Sequence, residues 1–155
     1  MQVTENRHLV AVTLAMAATL WVLLLVAAPW VAGQAGELGG VLYAIGALVC
    51  HQRPERSFHL GTVQLPVCAR CLGGYAGVAA GLAAWAVASR WRRAPWTRVA
   101  AIRTLAASGL PTGLTVASAW LGVGDPSNAW RAALAVPLGV VGGAVLGAVS
   151  TDHLK

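Results

Sequence analysis

Charge is scarce in this chain: Asp and Glu together number 5 in 155 residues, and charged residues of both signs make up only 10%. A soluble globular domain of this length needs far more surface charge. Three of the five acids, Glu37, Glu55 and Asp125, fall at loop positions, which leaves a proton-driven transporter almost no intramembrane carboxylate to use. The chain also lacks a glycine-rich nucleotide loop, a Ser-His-Asp set, a zincin helix and any pair of catalytic carboxylates. Transport stays open only if thiols carry a soft metal.

With one phenylalanine, 18 glycines and 57% hydrophobic content, the chain is built from Ala, Leu, Val and Gly, the mixture that lets helices pack closely in lipid. The formal charge of +6 raises nucleic acid as a partner. However, the basic residues lie at the ends of apolar runs rather than along one polar face, so they read as membrane-orienting charges and the partner is the lipid bilayer.

From His8 to Ala32 the sequence is apolar without an Asp, Glu, Lys or Arg, long enough for a transmembrane helix with some tilt. Val31-Ala32-Gly33 resembles a signal-peptide cleavage site, but the apolar core exceeds that of a signal sequence. Gly33 to Gly40 breaks this helix, and Leu38 to Val49 is too short to cross comfortably, predicting a re-entrant or interfacial half-helix with a fifth crossing as the alternative. Arg53 to Pro66 reads as loop, punctuated by Pro54, Gly61 and Pro66. Further crossings are predicted over Val67–Ser89, Val99–Val123, kinked at Pro111 and Gly113, and Ala129–Ser150. Asp125 is the expected N-cap of the last and Pro126 its first residue.

Gly73, Gly77 and Gly81 form one smooth stripe, and Gly139, Gly143 and Gly147 a second. Both predict close helix packing, and a homodimer through the stripes is a further possibility. Arg90, Arg92, Arg93 and Arg98, with Trp91 and Trp96, make the densest positive cluster and mark the cytoplasmic face. The expectation is therefore an all-α integral membrane protein, one transmembrane domain over residues 1–155 with four crossings plus the half-helix. Its C-terminus is cytoplasmic, and a Cys/His-containing loop at about 50–71 lies on the extracytoplasmic side.

That loop concentrates the soft ligands. All 3 cysteines fall in it with His51 and His59. Cys50, His51, Cys68 and Cys71 form a complete tetrahedral set for zinc, with His59 able to replace His51, and zinc comes ahead of copper(I) or iron for a closed structural site. The rival is redox: Cys68-Ala69-Arg70-Cys71 opens a helix, where the dipole and Arg70 activate a thiol. With Cys50 as resolving thiol it could pass electrons to a quinone. Structural thiols without chemistry are the third reading. Arg53, Arg56 and Arg70 either pair with Glu55 and Glu37 or, for Arg56 and Arg70 above all, bind an anionic headgroup or substrate. Tyr43 and Tyr75 are expected at the interface with hydroxyls toward water.

Cys-His-Gln-x-Pro-Glu-Arg-Ser-Phe from Cys50, followed by Val-Cys-Ala-Arg-Cys-Leu-Gly-Gly-Tyr-x-Gly from Val67, resembles a family of small predicted bacterial membrane proteins classed as a domain of unknown function. The likeness is close over roughly residues 40–80 and looser at Ser127-Asn128-x-x-Arg131. Relatives often carry Asp-Gly after the proline of the third long helix, where this chain has Pro111-Thr112-Gly113 and no acid. The resemblance implies the bacterial inner (cytoplasmic) membrane and a site at the cysteines, but no activity.

Overall fold

A computed structural model describes residues 2–34, 36–89 and 96–151. Of the cationic cluster, Arg90, Arg92 and Arg93 lie outside the described residues, as do Trp91, Pro95, His153 and Lys155, whereas Arg98 opens a helix. The described elements are α1 (Gln2–Gln34), α2 (Gly36–Val49), a 3-10 turn (Pro54–Arg56), β1 (Ser57–Leu60), β2 (Val63–Cys68), α3 (Ala69–Ala88), α4 (Arg98–Trp120) and α5 (Asn128–Ser150).

Four of these helices are long and apolar enough to cross a membrane: Asn6–Gln34 within α1, α3, α4 and α5. Helices of this kind satisfy every backbone group internally, as lipid requires. Their outward faces carry large exposed apolar side chains such as Leu20, Leu23, Val87, Ile102, Leu110 and Leu114, a surface that suits hydrocarbon and not water. Arg103 is exposed on the first turns of α4.

α3 and α5 make the most extensive helix pair, and glycine is the reason. A Cβ at Gly77 would strike Val136 O and come within 2.9 Å of Gly139 Cα, and one at Gly143 would strike Val78 O and sit 3.0 Å from Leu82 N. The two stripes face each other inside one chain, so a dimer formed through them would have to displace this contact.

α1 runs antiparallel to α3. Ala11 packs with Trp85 and Ala148, and Trp21 meets Tyr75 edge-on with ring centroids 6.2 Å apart. Its 33 residues make about 50 Å of helix, beyond the ~30 Å hydrocarbon core. α2 doubles back along the far end, where Gly39 lies against the Ala32 backbone, and its 14 residues make about 21 Å of helix, short of the ~30 Å hydrocarbon core. That length fits the expected half-helix beside four long candidate spans.

The segment expected to be loop is mostly a β-hairpin. β1 and β2 are antiparallel, pairing Leu60 with Val63, His59 with Gln64 and Ser57 with Cys68. Gly61 at φ 62° supplies the left-handed turn residue. An irregularity between Ser57 and His59 absorbs the extra residues of β2 around Pro66, which has no N–H for the ladder. The α5 boundary also differs: Ser127 Oγ caps the helix by accepting from Trp130 N, leaving Asp125 free for another role.

Candidate thiol and metal site

α2 delivers Cys50 to the start of α3 because its end is stitched to β2. α2 ends at Val49; Gln52, at φ 48°, follows, and its Nε2 donates to Tyr43 O and Pro66 O, both at 2.8 Å. Gln64 Nε2 donates back to Gln52 O at 3.1 Å. The Tyr43 hydroxyl donates to Gln64 O, so it is engaged with protein rather than water. β2 passes so close to α2 that a Cβ at Gly46 would strike Pro66 O; glycine is required there.

β2 ends at Cys68, the N-cap of α3, and Cys71 follows one helical turn later on the same side. Cys68 N donates to Cys50 Sγ at 3.1 Å, and Cys68 Sγ and Cys71 Sγ are 3.4 Å apart. The three Sγ atoms all lie within 4.8 Å of one another, and all three cysteines are free thiols. The Cys68 thiol is held down to about 5, first by its hydrogen bond with Cys71 and then by the Cys71 and Arg70 backbone and the Cys50 thiol, against the opposing effect of burial.

One side of this cluster is apolar, with Leu25 and Val67 buried against Cys50 and with Trp21, Leu72 and Tyr75 packed around them. The other side opens on a cavity of about 250 Å³. His51, Arg53, Arg56 and Arg70 line it together with the thiols.

The expected Cys3His set assembles as three cysteines. Cys50 is 8% exposed whereas His51 is exposed. The His51 ring is at the cavity wall but outside the thiol group. His59 is exposed on β1 and is not part of that group either.

Among the described residues, Arg56 and Arg70 meet partners other than the expected Glu55 and Glu37. The carboxylate facing Arg56 belongs to Asp125, at 3.8 Å, and Arg131 forms a closer ion pair with the same group, holding the Asp125 carboxyl below the usual carboxylate range. Arg131, 6% exposed, also donates to Asn128 Oδ1 at 2.7 Å and to Glu55 O at 3.3 Å. Asn128 Nδ2 donates to Ser57 O at 2.9 Å. Glu55 thus contributes its backbone carbonyl, and Asp125 with the first turn of α5 ties down the 3-10 turn and the start of β1. Arg70 reaches across to Thr115 Oγ1 at 3.3 Å. Reading the sequence missed Gln52, Gln64, Asp125 and Arg131 as site residues; the signal available was the Ser-Asn-x-x-Arg turn at 127–131.

The family described as predicted membrane protein (DUF2085) matches residues 50–146, a stretch that begins at the first cysteine and ends within α5. The chain is also similar to "Uncharacterized protein MJ1492" of Methanocaldococcus jannaschii, 51% identical over 41 residues, which is 26% of this chain and 26% of that protein. The aligned stretch thus spans about a quarter of this relative's length. No solved structure matches the chain.

Proposed function

The chain belongs to the predicted membrane protein family DUF2085, and we propose that it is a polytopic membrane protein whose Cys50, Cys68 and Cys71 bind a thiophilic metal ion, zinc first, at the extracytoplasmic face. One observation carries this reading: three free thiols from separate parts of the fold, the end of α2, the end of β2 and the first turn of α3, have their sulfurs within 4.8 Å of one another. Three thiolates are a donor set for zinc, copper(I) or iron, and among the described residues no carboxylate, which would favour harder ions, is grouped with them. His51, which lines the same cavity, is the side chain nearest in sequence to complete a four-ligand set. The ion would tie the end of α2 to the start of α3 and clamp the two ends of the hairpin segment. The extracytoplasmic side follows from the Arg90–Arg98 cluster at the opposite end of α3.

Protein purified without chelator should carry about one metal ion per chain. Cys71→Ser should lose it and free the remaining thiols for alkylation. Absence of stoichiometric metal would sink the reading.

The 3.4 Å approach of Cys68 Sγ to Cys71 Sγ favours a second reading, thiol–disulfide exchange with a quinone. There the two thiols form a disulfide, and their two electrons and two protons convert the quinone to a quinol. This predicts no bound metal and a reversible Cys68–Cys71 disulfide whose reduction state follows added quinone. A thiol count with and without reductant on the same preparation distinguishes the two.

A further inference from the structure

We infer that the cavity beside the thiols is a binding site for a tetrahedral oxyanion of the phosphate type, held by Arg53, Arg56 and Arg70. Three guanidiniums from three parts of the fold, the segment after α2, the 3-10 turn and the first turn of α3, line one space of about 250 Å³. No carboxylate lines it among the described residues. Asp125 approaches Arg56 only at 3.8 Å and is itself the partner of Arg131, so the cavity keeps an excess of positive charge.

Arg56 Nε and Arg70 Nε are both buried without a hydrogen-bond partner. A buried charged donor left unmatched is costly, and a bound acceptor removes that cost. The planar guanidinium fork matches phosphate oxygens two at a time, and the first turn of α3, entering the cavity through Arg70 and Cys71, adds the positive end of its dipole. The volume falls below the roughly 300–1,000 Å³ of drug-sized ligand sites, so the occupant is a small ion or the phosphate end of a larger molecule. Because the cavity lies where the candidate span Ala69–Ala88 begins, at headgroup level, that larger molecule is an anionic phospholipid. The inference rests on the arginines and is independent of metal at the thiols.

The test uses the full chain in detergent, titrated calorimetrically with inorganic phosphate at constant ionic strength, alongside Arg53→Gln and Arg70→Gln. In parallel, nanodiscs containing phosphatidylglycerol are examined by native mass spectrometry for retained lipid. Wild type should bind one phosphate per chain, with affinity about ten- to a hundredfold weaker in each variant. If free phosphate does not bind but wild type retains one phosphatidylglycerol that both variants lose, the same site takes its phosphate from lipid. Arg53 is exposed outside the helices, so Arg53→Gln reads the site even if Arg70→Gln, which also loses the Thr115 bond, does not fold. No binding of either phosphate source by wild type, or equal binding by wild type and Arg53→Gln, overturns the inference. Metal content of the same preparation is measured separately.

Discussion

Replacing Gly81 by alanine puts one methyl group where there is no room. The new Cβ would strike Val140 O, with Val140 C at 2.8 Å and Ala144 N at 2.9 Å. These are backbone atoms of α5, so relief requires the two helices to separate. Overpacking of this kind costs roughly 1–3 kcal/mol and occasionally more, against a gain of about 1 kcal/mol from replacing glycine inside a helix. Gly74 lies on the same helix with nothing within 4 Å of its added Cβ, so Gly74→Ala collects the gain without the clash. The propensity gain is common to both, so the two variants should differ by the clash alone, about 1–3 kcal/mol, with Gly81→Ala at or below wild type and Gly74→Ala at or above it. Gly143 and Gly142 provide the same comparison on α5, the first against Val78 O and the second open. Unfolding in detergent micelles by titration with a denaturing detergent, followed through the chain's 7 tryptophans, reads the difference. Equal midpoints for Gly81→Ala and Gly74→Ala would refute close backbone contact between α3 and α5.

Further expectations concern the site. Because its hydrogen bond with Cys71 holds the Cys68 thiol down to about 5, alkylation of reduced, chelated protein should stay fast from pH 8 to about pH 6 and slow below 5; Cys71→Ala should move that profile upward, and an unchanged profile would show the hydrogen bond to be inconsequential. Asp125 is an acid whose folded pKa is lowered by Arg131, so its contribution is present above the ordinary carboxylate value near pH 4 and lost as pH falls through the folded one. Protease sensitivity of the hairpin should thus rise only in acid, and Asp125→Asn should abolish that pH dependence. A membrane-impermeant thiol reagent applied to intact cells after metal removal should reach Cys68; labelling that needs an opened cytoplasm would reverse the orientation.

The long helices were legible because lipid-facing composition leaves apolar runs no other use, and their ends moved only where capping chemistry decided. Ser127 outcompetes Asp125 as a cap because Arg131, inside the first turn of α5, claims the carboxylate. The hairpin was hidden by Pro54, Gly61 and Pro66, which read as loop. In fact Gly61 makes the turn and Pro66 sits in the irregular part of the ladder. The meeting of Cys68 with Cys71 could be read from their spacing, one helical turn, and that of Cys50 with both from the density of thiols. The exposure of His51 could not, since adjacency to the buried Cys50 does not fix where its side chain lies. The clamp of Asp125, Asn128 and Arg131 on Arg56, Ser57 and Glu55 was illegible because the partners stand about 70 residues apart and no local pattern links them.

The pairing of α3 with α5 also sets an order of assembly. The glycine face of α3 is complete when Gly81 is made, but its partner backbone, Ala132 to Ala144, is synthesised roughly 60 residues later, several seconds at about 5–20 residues per second. During that interval the grooved face of α3 meets only lipid or the translocation machinery, and the hairpin above it lacks the Asn128 and Arg131 contacts that hold it down. The thiols, packed by residues of α1, β2 and α3, can therefore assemble before α5 is made, whereas the segment Glu55–Ser57 beside them is tied down only when the final helix arrives.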